Sequence, residues 1–172
     1  MVTLPATVKE LAIELEVWQR IVVVIQKMGH NWKLLEQVGE IPVRKSSSTR
    51  RLGVYVSIGS KPVCIRLQLA QEPDILPETF LHEVAHACDH LTRRFKLKGW
   101  RGNHGVPWKN WAAELGISTA RCGESSLLNQ LHQQRLKLVA KCLKCGDEIH
   151  RVRRLNRNRN YIHKCGGKIE KY

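Results

Sequence analysis

Acidic residues are scarce in this chain. Over 172 residues, 15 Asp and Glu stand against 29 Lys and Arg, a formal charge of +14 with a pI near 9.9. So one-sided a balance predicts attraction to a polyanion, and nucleic acid is the usual one. Long apolar stretches are missing as well. Val22-Val23-Val24-Ile25 is apolar but far too short to cross a bilayer. The Met1-Val2-Thr3 start lacks a basic segment followed by an apolar run and a small-residue cleavage site, so no secretory signal is expected. These absences predict a soluble, cytoplasmic protein with no membrane partner, nucleoid-associated if the cell is bacterial. In such a reducing compartment, six cysteines point to metal binding rather than disulfides. A 42% apolar content over 172 residues is enough for one domain with a real core, or one domain plus a small module.

The stretch around which the chain is organised is Phe80-Leu81-His82-Glu83-Val84-Ala85-His86-Ala87-Cys88-Asp89-His90-Leu91. Leu81, Val84, Ala85 and Cys88 recur at helical spacing, so a helix with one buried face is predicted. His82 and His86 then lie on one side of it, about 6 Å apart along the axis. Two imidazoles so placed can reach one Zn²⁺. Glu83 follows the first ligand and can take a proton from the water that such a metal activates, the general-base role of a metalloprotease. A third ligand is required. His90 shares the face but lies about 12 Å from His82 on a straight helix, and Asp89 would have to curl back. His104, between glycines in Arg101-Gly102-Asn103-His104-Gly105, is the favoured candidate over His90, Asp89 or an acid elsewhere.

Upstream, Pro5 marks a helix start and Gly29 a stop, with Val8, Leu11, Ala12, Leu15, Trp18, Ile21 and Ile25 at helical spacing between them; one amphipathic helix over 5–28 is expected. Asn31 caps a short helix through Val38. Strand patterns at Glu40–Arg44, Leu52–Ile58 and Lys61–Leu69, the last two joined by a Gly59-Ser60 turn, predict a small, mostly antiparallel sheet. Arg44, Lys45, Arg50 and Arg51 bracket four hydroxyl residues, a composition that suits either phosphate contacts or a solvated loop. The metal helix should start near Pro77 or Glu78 and end near Thr92. Phe95 and Trp100 then stand among five cations, as in a surface that stacks single-stranded bases, or as loop anchors. Pro107 opens a helix closed by Gly116, whose Trp108 and Trp111 should pack against the metal helix and hold His104. A last helix is expected over Ser125–Arg135.

Composition changes after residue 134, which sets the expected division into 1–134 and a basic module 135–172. The tail holds 12 Lys and Arg against 3 Asp and Glu, a net +9. Cys142-x-x-Cys145 is a metal knuckle, and with His163 and Cys165 it suggests a structural zinc ribbon. A redox Cys-x-x-Cys lacks the strand-to-helix context it needs. Arg151, Arg153 and Arg154, then Arg157 and Arg159, flank an expected hairpin tip at Asn156–Asn160 and would present an arginine finger to phosphates. Cys64, Cys88 and Cys122 have no evident partners and are read as buried thiols.

Taken in order, Arg51-Leu52-Gly53, Ile65-Arg66-Leu67, Leu81-His82-Glu83-Val84-Ala85-His86, His104-Gly105-Val106-Pro107-Trp108 and the ribbon ending Tyr161–Gly167 give the chain its resemblance to the SprT-like, Spartan-related zinc metalloproteases. The resemblance spans roughly residues 5 to 172. It implies an α+β, zincin-like domain followed by a zinc ribbon. It implies a catalytic Zn²⁺ on His82, His86 and His104, Glu83 as the catalytic residue, and a DNA-dependent protease that degrades proteins trapped on DNA. The chain departs in having His163-x-Cys165 where many members have two cysteines, and in lacking the long recruitment tail of the eukaryotic proteins.

The expectation is a monomeric zinc endopeptidase acting on DNA-bound or crosslinked proteins, with single-stranded or locally unpaired DNA held with little sequence preference. A DNA-binding protein with a non-catalytic metal site, and a partner-specific zinc peptidase independent of DNA, are the alternatives.

Overall fold

The computed structural model of the chain describes residues 6–93, 104–119 and 124–172. Phe95, Trp100 and Cys122 lie outside the described residues. The chain divides into two compact units, Met1–Leu127 and Leu128–Tyr172. That division falls near the start of the last helix, whereas the composition change had suggested one after its end. Among the described residues no helix is long and apolar enough to cross a membrane.

The first unit is mixed α and β. It opens with α1 (Val8–Glu14), α2 (Trp18–Lys27) and α3 (Trp32–Gly39). The single helix expected over 5–28 is therefore two. Thr7 starts α1 in a reciprocal cap: its hydroxyl accepts from the Glu10 N–H, and Glu10 Oε2 accepts from the Thr7 N–H. The chain then breaks at Glu16, a non-glycine residue at φ 57°. The Glu16 N–H bonds Ile13 O and the Val17 N–H bonds Ala12 O, the paired reverse bonds that terminate a helix. Gly29 ends α2 with the same two bonds and φ 76°, as its position suggested. Asn31 caps α3 as expected, Oδ1 accepting from the Lys33 N–H.

Three strands follow: β1 (Val43–Lys45), β2 (Gly53–Ile58) and β3 (Lys61–Leu67), in spatial order β1-β3-β2. β2 and β3 form the expected antiparallel hairpin, but β1 pairs parallel to β3, Val43 opposite Ile65. The sheet is mixed because the basic loop after β1 carries the chain across to the far edge of β3. The central strand buries Cys64, Ile65 and Leu67. Against this layer lies α4 (Ile75–Thr92), which buries Phe80, Leu81, Val84, Ala85 and Cys88 on the apolar face read from its spacing. α5 (Val106–Glu114) has Pro107 in its first turn and adds Trp108, Trp111 and Ala112 to the same core. α6 (Ser126–Gln134) starts beneath Glu72, whose Oε1 accepts from the Ser126 and Leu127 N–H groups.

The second unit is built on a three-stranded antiparallel sheet of β4 (Lys137–Cys142), β5 (Glu148–Arg151) and β6 (Ile169–Lys171), with β4 central. Its core is small: Val139, Ala140 and Leu155, covered by Ile149, Tyr161 and Ile169.

Candidate metal centres

α4 sets His82 and His86 one turn apart, and the start of α5 brings His104 to them. His104 Nε2 lies 3.0 Å from His82 Nε2 and 3.2 Å from His86 Nε2. Neighbouring donors around a tetrahedral ion with ordinary metal–nitrogen bonds lie roughly 3.3 Å apart. Three ring nitrogens facing one another cannot all be satisfied by protons shared among themselves, whereas a cation between them accepts all three lone pairs. The arrangement therefore fits a metal ion on His82, His86 and His104. Burial, then His104, holds His82 down at about 4; burial, then His82, His104 and Arg93, holds His86 at about 3. Both imidazoles are neutral at pH 7 and free to donate.

The other third-ligand candidates point elsewhere. Asp89 forms a 2.5 Å ion pair with Arg93. His90 Nδ1 lies 2.7 Å from the Tyr55 hydroxyl and its Nε2 lies 2.9 Å from Gly59 O, so it ties α4 to the β2–β3 turn. Trp108 forms one wall of the cluster, its ring centroid 4.7, 5.2 and 4.3 Å from those of His82, His86 and His104. Trp111, expected in the same role, stacks on His30 at 5.5 Å instead.

Glu83 is not among the converging donors. Its carboxylate is buried against β2, with Oε2 accepting from the Tyr55 N–H at 2.6 Å. Burial pushes this carboxyl up to about 7, against the opposing pull of the Tyr55 N–H. A carboxyl held near neutrality can take up and release a proton at ordinary pH. Tyr55 had no sequence signal, because its part is played by the backbone across 28 positions.

In the second unit, Cys142, Cys145, His163 and Cys165 bring their donor atoms within 4.8 Å of one another. His163 Nδ1 lies 3.3 Å from Cys145 Sγ and 3.2 Å from Cys165 Sγ; Cys142 and Cys165 sulfurs are 3.5 Å apart. The Cys145 N–H, then that of Lys144, aims at the Cys142 sulfur and lowers its thiol to about 6, the thiolate form a metal takes. His163 Nε2 faces Asp147 Oδ2 at 3.2 Å, which leaves Nδ1 for the metal. Asp147 was missed: it sits in the knuckle beside the cysteines, but its partner lies far along the chain.

Arg151, Arg153, Arg154, Arg157 and Arg159 are all exposed. They do not form the expected two-stranded finger, because β5 and β6 each pair with β4 rather than with each other. Instead Asn156–Arg159 folds into a turn gripped from below. Lys171 Nζ donates to the carbonyls of Asn156, Arg157 and Arg159 at 3.2, 2.9 and 2.6 Å. In the first unit Arg44 and Lys45 are exposed on β1, and Arg50 and Arg51 follow Ser48, whose hydroxyl accepts both of their N–H groups.

No protein-family model, curated protein or solved structure matches the chain.

Replacing His104 with Ala should reduce bound metal from two equivalents to one, read by direct metal analysis, because the remaining histidines cannot hold the ion alone. Unchanged metal content would move the third ligand to another residue.

Proposed function

We propose that the chain is a zinc-dependent endopeptidase, of the SprT-like, Spartan-related kind, acting on proteins bound or crosslinked to DNA. The observation that carries this reading is the convergence of His82, His86 and His104, with a buried carboxylate, Glu83, at the next position to His82 on the same helix. A purely structural metal site needs ligands and gains nothing from a buried carboxylate that is not one of them. His82, His86 and His104 would hold Zn²⁺, which when bound supplies a Lewis acid for the scissile carbonyl and an activated water. Glu83 handles the proton. The Tyr55 N–H fixes Oε2, and among the described residues no hydrogen bond reaches Oε1, the oxygen left to take a proton and return it to the leaving amine. The Cys142, Cys145, His163 and Cys165 cluster would hold a second, structural Zn²⁺ that stabilises the basic module.

DNA is the partner that the charge favours. The exposed arginines at 151–159 and the cations at 44, 45, 50 and 51 suit phosphate contacts, which give affinity with little sequence preference. Neutralising Arg151, Arg153 and Arg154 should weaken DNA binding and lower the salt slope by up to about 2.7, at about 0.9 per duplex phosphate contact. An unaltered slope would remove this segment from the DNA surface.

The function is tested by incubating the zinc-loaded chain with a basic DNA-binding protein and single-stranded DNA, duplex, or neither. Cleavage only with DNA is expected. Cleavage regardless of DNA would leave a peptidase whose charge serves something else. Tight DNA binding without cleavage would leave a binding module with a non-catalytic metal site.

A further inference from the structure

We infer that Gly53 is a positioning residue for Glu83: the side chain it lacks is the space in which the carboxylate is set. The inference rests on reading Glu83 as the proton-handling group. Gly53 opens β2, paired with Leu67 on β3. It is not among the glycines with left-handed backbone, so conformation does not explain why glycine stands there. Space does. A Cβ at this position would lie 2.9 Å from Glu83 Cγ, 2.9 Å from Glu83 Oε1 and 3.0 Å from Thr79 Cγ2. Ordinary contact begins at 3.4 Å.

None of these neighbours retreats at low cost. Glu83 is buried and its Oε2 is pinned by Tyr55, two residues along the same strand. Thr79, one turn before Glu83 on α4, is buried with its hydroxyl donating to Gln71 Oε1 at 2.8 Å. Gly53 is equally fixed: the preceding Leu52 is buried, and its carbonyl accepts from the Gln68 N–H at 2.7 Å.

The two ends of the glutamate are therefore set by different elements. α4 fixes its Cα together with His82 and His86. β2 fixes its carboxylate, through the Tyr55 N–H on one oxygen and the bare face of Gly53 against the other. Gly53→Ala should separate the two functions, leaving the metal ligands in place while displacing the base. General destabilisation would instead lower both together.

The test is Gly53→Ala in the full, zinc-loaded chain, with three readouts. Metal content should stay at the wild-type value. The Tyr55 amide proton should move upfield in the NMR spectrum and exchange faster, since its short bond to the carboxylate is lost. Turnover of the protein substrate should fall about 10²-fold in kcat with KM unchanged, the cost of misplacing a reacting group by about 1 Å. An unmoved Tyr55 amide with wild-type kcat overturns the inference, as does loss of metal in step with activity. If the wild-type chain hydrolyses nothing, the amide and metal readouts still decide the role of Gly53 while the peptidase reading falls. A double-mutant cycle by thermal unfolding serves if Gly53→Ala folds poorly. The stability penalty of Gly53→Ala should shrink in a Glu83→Ala background, where Cγ and Oε1 are gone. An equal penalty in both backgrounds overturns the inference.

Discussion

Glu83→Gln should leave metal binding at both clusters unchanged and abolish the proposed hydrolysis. The amide has the shape of the carboxylate, and its oxygen still accepts the Tyr55 N–H, so the contact with β2 survives. His82, His86 and His104 are untouched, so the metal stays. What is lost is a group able to take a proton near neutral pH, and general-base catalysis is worth about 10²–10⁴ in rate. Metal analysis alongside a cleavage assay checks both halves. Full activity in the variant would take Glu83 out of the chemistry, and lost metal would make it structural. The same carboxylate sets the direction of the pH dependence. Burial holds it up at about 7, and a cation held by the three histidines would favour the charged form and pull it lower. A base at Glu83 would work deprotonated, so activity should fall as pH drops through that lowered value and should not fall as pH rises through it.

The parts of this molecule that were legible in its sequence are those whose signals are local. The apolar spacing of α4, Asn31 before α3, Gly29 and Gly116 after α2 and α5, and Pro107 in the first turn of α5 each carry their reason within a few residues. The α1–α2 break was hidden because Leu11, Leu15, Trp18 and Ile21 keep helical spacing across it, while the left-handed residue is Glu16 rather than glycine. Thr7-x-x-Glu10 was a readable start signal that Pro5 obscured. The parallel pairing of β1 depends on where the basic loop delivers the chain, which strand periodicity does not encode. In the tail, the arginines around Asn156–Asn160 suggested a hairpin tip; a turn does form there, but no paired strands flank it, because Leu155 and Tyr161 are drawn into the small core and Lys171 holds the turn from a distant strand. At the site the donors were visible because metal ligands come in fixed spacings. Tyr55, Gly53 and Asp147 were not, because each acts through a partner brought near only by the fold.

Removing the metal from the Cys142 cluster should unfold the second unit while the first keeps its structure. A core of Val139, Ala140 and Leu155 with partial cover is too small to hold a fold of this size alone. The cluster joins the end of β4 to the segment leading into β6, so it closes the sheet that the core cannot. Structural zinc in small modules contributes about 10–16 kcal/mol, as much as the whole stability of an ordinary domain at about 5–15 kcal/mol. Gly167→Ala should reproduce the effect with every ligand residue still in the sequence, since a Cβ there would lie 2.6 Å from both Cys142 Sγ and Lys144 Cβ and 3.3 Å from Cys165 Sγ. One metal equivalent should be lost, with the cross-strand NMR contacts between Cys142 and Ile169 that pair β4 with β6. A Gly167→Ala chain that loses one equivalent yet keeps those contacts would show that the module does not depend on the cluster. The loss should reach the arginines too. Lys171 lies on β6 and is the group that grips the Asn156–Arg159 turn, so a module that releases β6 releases Lys171 and with it the arrangement of Arg157 and Arg159. DNA affinity should therefore fall in Gly167→Ala although every arginine is still present, which a surface acting by charge alone would not do.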